Sequence, residues 1–175
     1  MKSVLISIQP KWCALIANGR KTIEVRKTAP NIKPPFKCYI YCTKGNPNDP
    51  HQRLETHAPD GKIYLDNGNV MGEFVCDFIE TISKNNRQTM STLSCVPLPQ
   101  LYEYAGANGL EGLKGWHISS LLIYDKPKTL EDFRYTNEHI TKIMNSVTHW
   151  ECGIDDEIAA QISRPPQSWC YVEKK

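Results

Sequence analysis

VLISIQPKWCALIANGRKTIEVRK, residues 4–27, decides how the rest of the chain is read. Val4, Ile6 and Ile8 alternate with Leu5 and Ser7 in a β-branched run, which predicts a strand that stops before Pro10. Pro10 suits a first helical position, and Trp12, Leu15 and Ile16 follow at i, i+3 and i+4. Gly19 after Asn18 supplies a left-handed cap, so a short amphipathic helix ends there. Thr22 to Arg26 then alternates strictly, with Ile23 and Val25 on one face and Thr22, Glu24 and Arg26 on the other. A strand, a short helix and a strand thus bring Lys11, Arg20, Lys21, Glu24, Arg26 and Lys27 into one neighbourhood.

Working outward, Asn31 to Pro35 is a proline-rich connection and Phe36 to Thr43 a strand. Lys44 to Asn69 carries Gly, Pro, Asn and Asp throughout and predicts a long loop, with only Ile63-Tyr64-Leu65 strand-like. Val70 to Ile82 alternates again, Phe74, Cys76 and Phe78 opposing Glu73, Val75 and Asp77. A turn-rich stretch from Lys84 to Ser94 precedes a short helix at Pro99 to Ala105 and a strand at Trp116 to Tyr124. Thr129 and Asp132 are spaced as a helix N-cap. Ile140, Ile143, Met144 and Val147 define an amphipathic helix, and Gln167 to Glu173 a final strand after Pro165-Pro166. Short strands interspersed with short helices, without a βαβ rhythm, imply an α+β domain with a mixed sheet or small barrel. The expected organisation is one domain over residues 1–175, with a loop at 44–69 and a helical insertion at about 129–163.

Composition narrows the function. With 40% hydrophobic and 23% charged residues the chain is globular rather than disordered or coiled-coil. No apolar run approaches the ~20 residues of a membrane span, and the first residues lack the apolar core of a signal peptide, so no membrane partner and a cytoplasmic location are expected. A net charge of +2 argues against a surface that coats long duplexes, while leaving room for a local basic cleft. The seven cysteines are odd in number and irregularly spaced, which predicts free thiols. Cys38 and Cys42 would share a strand face about 13 Å apart at ~3.3 Å per residue, too far for tetrahedral zinc even with His51 or His57. His139, His149 and Cys152 lack zinc-finger spacing, so no metal is expected. Cys13 and Cys76 sit among apolar residues as core thiols. Gly106, Gly109, Gly112 and Gly115 fit neither a dinucleotide nor a Walker phosphate loop, and no cofactor is expected.

The charged cluster at 11–27 has two readings. In one it is a solvated face on which Glu24 and Arg26, about 7 Å apart along a strand, simply pair. In the other it is a pocket wall, where a lysine at a turn beside a carboxylate and a guanidinium binds a phosphate or polarises a carbonyl. A lysine kept from water there is also a candidate base or nucleophile. Trp12, Trp116, Trp169 and Tyr171 belong mostly to the core, with one or two free to stack a base at a pocket rim.

Ser7 to Ile16 followed by Gly19 to Lys27 resembles the signature of the ASCH domain, the activating-signal-cointegrator homology family of the PUA-like superfamily. Val70 to Phe74, Ile118 to Lys128 and Pro165 to Val172 are similar to the same group, especially its phage and prophage members. The resemblance implies a small PUA-like mixed β-barrel flanked by short helices, with a cleft between barrel and first helix that binds RNA or single nucleotides. Lys11, Trp12, Lys21, Glu24 and Arg26 would line that cleft. One bacterial subfamily removes the acetyl group of acetylated cytidine with a lysine, a threonine and a glutamate. Lys21 matches the lysine, Glu24 stands at the threonine position, and Glu73 is the nearest glutamate in a matching strand. A carboxylate in place of a hydroxyl changes charge and hydrogen-bond role, so a hydrolase here would use Lys21 and Glu24 as its catalytic pair. A third possibility is an interaction protein whose 44–69 loop contacts another chain.

Overall fold

The computed structural model describes residues 3–46, 48–137, 140 and 160–174. β1 (Ser3–Ile8) runs directly into α1 (Pro10–Ala17), and Gly19 takes φ +72° just past its end. The amides of Arg20 and Lys21 both return to the Leu15 carbonyl, at 3.0 and 2.9 Å, which closes the helix and aims the chain into β2 (Ile23–Arg26). β3 (Phe36–Cys42) follows. Within the expected loop, a 3₁₀ turn at Pro50–Gln52 leads to a small hairpin of β4 (Glu55–His57) and β5 (Ile63–Leu65). β6 (Val70–Thr81), α2 (Arg87–Ser94), α3 (Leu98–Ala105) and β7 (Lys114–Lys128) come next. Thr129 and Asp132 form a capping box around a single 3₁₀ turn, and β8 (Phe133–Tyr135) and β9 (Trp169–Lys174) end the described chain.

Seven strands form one sheet in the order β2-β7-β6-β3-β1-β9-β8, antiparallel except for the parallel β1–β3 pair. Alternation gives the sheet two buried faces. Val4, Ile6 and Ile8 of β1, Cys38, Ile40 and Cys42 of β3, Phe74 and Cys76 of β6, and Trp116 pack under α1 through Cys13 and Ile16. Leu5, Tyr39, Tyr41, Val70, Phe133, Cys170 and Val172 fill the other face. A third cluster joins Ile23 and Val25 to Met90 and Leu101 of α2 and α3.

The sheet is mixed and flanked by short helices as expected, but it is not closed into a barrel. β2 pairs with β7 and β8 with β9, and these edges do not pair with each other. The β2 edge is covered by helix instead: Met90 and Leu101 pack on Ile23 and Val25, and the Thr22 amide donates to the Leu93 carbonyl at 2.9 Å. α2 itself corrects the expected turn-rich stretch at 84–94. Its sequence RQTMSTLS buries only Met90 and Ser94, so packing rather than periodicity makes it helical. Register shifts between Cys76 and Ile79 bring Phe78 out, 55% exposed, against the expected apolar face. Of the amphipathic helix expected around 140–147, all but Ile140 lies outside the described residues. No helix among the described residues is long and apolar enough to cross a membrane.

Candidate functional site

A cleft of about 260 Å³ opens between α1, β2 and the α2–α3 pair. Lys11 and Trp12 come from the first turn of α1, Lys21 from the turn after Gly19, and Glu24 and Arg26 from the face of β2 turned away from the third core cluster. Val96, Gln100, Leu101 and Tyr104 form the opposite wall, with Ser7 to Gln9 at the end of β1. The five residues singled out in the sequence therefore share one cavity. Arg20 and Lys27 are exposed and do not line it; the Lys27 ammonium lies 5.1 Å from the Tyr104 ring centroid.

The polar face of β2 is not solvated. Lys21 is 2% exposed, Glu24 6% and Arg26 8%, so both faces of this four-residue strand are buried. Glu24 bridges the two cations, its Oε1 3.0 Å from Arg26 Nη2 and its Oε2 3.1 Å from Lys21 Nζ. The pairing expected of a surface face is present, but in a desolvated setting. Lys21 Nζ also donates to the Ser94 carbonyl at 2.8 Å, and Arg26 Nη2 donates to the Ser7 carbonyl. The end of α2 thus anchors the lysine, through a turn where Cys95 takes φ +56° and its thiol donates to the Arg20 carbonyl at 3.3 Å. The Lys21–Glu24 approach is an ion pair rather than an aligned hydrogen bond, because Glu24 Oε2 has no hydrogen-bond partner. Arg26 Nε and Trp116 Nε1 are also buried without one, and Trp116 is the cross-strand neighbour of Glu24. Among the described residues, two of the three orphaned buried side-chain atoms, Glu24 Oε2 and Arg26 Nε, thus belong to residues that line the cleft, where such groups call for a polar partner or a functional explanation.

Trp12 forms the half-exposed wall. The Lys11 ammonium is 4.4 Å from its ring centroid and Lys21 Nζ 5.3 Å, so an aromatic surface sits between two cations. Trp116 is fully buried, edge-on to Phe36 at 5.8 Å, while Trp169 and Tyr171 are half-buried and pack against the core. Three cations against one carboxylate give the cleft a positive balance.

Other candidate chemistry disperses. Cys38 and Cys42 are buried in the core, and His51 and His57 are exposed. Burial pushes the Cys13 and Cys38 thiols well up and those of Cys76 and Cys170 up to about 12, which leaves little thiolate for nucleophilic work. His139, His149 and Cys152 lie outside the described residues; among the described ones no group of three His, Cys, Asp or Glu could hold a metal. Glu73 does not reach the cleft. It lies opposite Tyr39 on the other sheet face, where it accepts from Lys37 Nζ at 2.6 Å and from the Tyr124 hydroxyl. The α2–α3 wall, with Ser94, Gln100 and Tyr104, escaped sequence reasoning. The one available signal was the i, i+4 spacing of Gln100 and Tyr104 on α3.

No family model matches the chain, and no curated protein matches it either. Solved structures do match. The ASCH protein of Zymomonas mobilis aligns with a TM-score of 0.53 at 16% identity, over 98% of this chain and 87% of that one. Two point variants of the same protein align at 0.56 and 0.57, also at 16% identity, over 99% and 98% of this chain and 91% and 88% of theirs. This is an ASCH fold. At that identity the likeness concerns the backbone, and it agrees with the fold expected from residues 7–27. Within this ASCH fold the cleft lies where the first helix, the β2 edge and the α2–α3 pair meet.

Proposed function

We propose that the protein binds RNA or a single nucleotide, modified or unmodified, in the cleft between α1 and β2. In this reading Lys11, Lys21 and Arg26 meet phosphate or base carbonyl oxygens, Glu24 holds the two buried cations in place, and Trp12 stacks a base. The observation that carries it is a cleft lined by two buried atoms without hydrogen-bond partners, Glu24 Oε2 and Arg26 Nε, together with the half-exposed Trp12 ring approached by Lys11 and Lys21. A volume of about 260 Å³ suits a nucleoside-sized ligand rather than a duplex. The resemblance of residues 70–74, 118–128 and 165–172 extends the reading to a phage- or prophage-type member of the group. The test is titration of single-stranded RNA and of nucleotides at low and moderate salt, comparing wild type with Lys11→Ala, Lys21→Ala and Arg26→Ala. Affinity should fall in all three and the salt dependence should flatten. Unchanged affinity in Lys21→Ala and Arg26→Ala proteins that remain folded would remove the cleft from consideration.

A second reading, hydrolysis of an acylated cytidine-type nucleoside, is favoured by one contact: the Lys21 ammonium and the Glu24 carboxylate stand together at the cleft, Nζ 3.1 Å from Oε2. Lys21 would be base or nucleophile and Glu24 its acid–base partner. Release of cytidine from acetylated cytidine above a Lys21→Ala control distinguishes this from binding alone.

A further inference from the structure

The sheet face away from α1 carries a cavity of its own, of about 550 Å³, which shares no lining residue with the nucleotide cleft. Its volume is that of a small-molecule site. Tyr41, Phe133 and Ile162 of the second core cluster form its floor, at 1%, 0% and 4% exposure. Lys44, just past β3, and Glu131, in the turn before β8, stand exposed on its rim, and neither has an ion-pair partner among the described residues. Tyr41 is the exception on the apolar floor. The Tyr124 hydroxyl on the same sheet face donates to Glu73, whereas the Tyr41 hydroxyl has no hydrogen bond among the described residues. Buried polar side chains nearly always have a partner, so this one calls for an explanation. The oxygen is not sealed in protein either, so it faces the cavity that its residue lines. Burial raises its ionisation, and at neutral pH it is a donor without an acceptor. Gly68 fixes where that donor lies: a Cβ added there would stand 3.7 Å from Lys44 Cε and 4.0 Å from Tyr41 Oη. The lysine stem and the phenol therefore flank one spot, which the glycine, at φ +82°, keeps open.

We propose that this cavity is a second ligand site, for a small organic carboxylate with an apolar body: the Tyr41 hydroxyl and the Lys44 ammonium hold the carboxylate, and Phe133 and Ile162 cover the body. One neutral donor and one cationic donor match the two oxygens of a monoanion, and a charge-assisted bond to each is the strong kind. A dianion such as phosphate would carry more charge than Lys44 neutralises, with Glu131 on the same rim, and would leave the apolar floor uncovered. An amine of the same shape would meet two donors and a like charge.

Naphthylacetate is titrated into the full chain at fixed ionic strength, beside naphthylethylamine, which puts a cation on the same apolar body, and inorganic phosphate. Protein NMR signals report where each binds. Saturable shifts around Tyr41 and Phe133 are expected with the acid alone. Its affinity should be about tenfold weaker in Tyr41→Phe and in Lys44→Gln, and unchanged in the cleft variant Lys11→Ala. Tyr41→Phe removes only an oxygen without a partner, so its urea midpoint should equal or exceed that of wild type, and lost binding there is not lost folding. No saturable shift with the acid in wild type, or wild-type affinity in both Tyr41→Phe and Lys44→Gln, overturns the site. Amine or phosphate binding as tight as that of the acid overturns its chemistry, and a loss confined to Lys11→Ala moves the acid to the cleft. None of these readings depends on whether the cleft binds RNA.

Discussion

The two faces of the sheet carry the same kind of cluster at opposite depths. Under α1, Glu24 lies between Lys21 and Arg26, and all three are under 10% exposed. On the far face, Glu73 lies between Lys37 and Tyr124, and the Lys37 side chain is 38% exposed. Burial changes what each contact does. A half-solvated pair can lose a partner to water with little consequence, whereas a desolvated triad leaves its remaining charges without compensation. Only the buried cluster has orphaned atoms, at Glu24 Oε2 and Arg26 Nε. That difference marks the cleft cluster as the one whose polar groups still lack hydrogen-bond partners.

The largest expected effect breaks the buried side. Glu24→Ala strands two cations beside Ser94 and Ser7 and should cost about 3–5 kcal/mol of stability, read from urea unfolding. Glu73→Gln keeps the shape and leaves Lys37 free to turn to solvent, so it should cost about 1 kcal/mol. Equal losses would mean that depth does not separate the two clusters.

How much of this was legible in the sequence follows from the same contrast. β1, α1 and β2 were readable because Pro10, Gly19 and the alternation at 22–26 are local signals, whereas the grouping of the five cleft residues came from the resemblance of 7–27 to the ASCH signature. The depth of Glu24 and Arg26 was not readable, because it is imposed by Trp116 on the neighbouring strand and by the helices covering the β2 edge. α2 was missed for a related reason: Met90 and Leu93 gain their helical environment only by packing on Ile23 and Val25. The open sheet, too, depends on which element covers the β2 edge, a non-local choice.

A third buried carboxylate sharpens the comparison by lacking a cation. Asp66, beside the β4–β5 hairpin, accepts from the Thr56 hydroxyl at 3.0 Å, and burial raises it from 3.8 to about 6. The folded state therefore holds this proton more tightly than the unfolded chain. Its contribution is fully present below the ordinary value and is lost as pH rises through about 6. Glu73 has the opposite sign. Burial alone would raise it, but the bonds from Lys37 and Tyr124 bring it below 4.5, so its contribution is present above that value and lost as pH falls. Unfolding measured from pH 4 to 6 should show a decline in wild type that Asp66→Asn removes, while Glu73→Gln should flatten only the acidic limb. A decline that survives Asp66→Asn would assign it to another group.

The smallest expected effect on folding separates ligand surface from scaffold. Lys11 is exposed, and its ammonium approaches the Trp12 ring, 4.4 Å from the centroid. Such an exposed cation–π contact is worth under about 1 kcal/mol, so Lys11→Ala should leave the urea midpoint close to wild type. Its charge nevertheless stands at the cleft mouth, and a phosphate contact there should make binding weaker and less salt-dependent. Lys21→Ala perturbs both properties, because the same ammonium holds Glu24 and the Ser94 carbonyl. Lys11→Ala therefore isolates binding from folding: weaker RNA or nucleotide affinity with an unchanged midpoint makes the rim a recognition surface. Unchanged affinity would confine any role of the cleft to its buried triad.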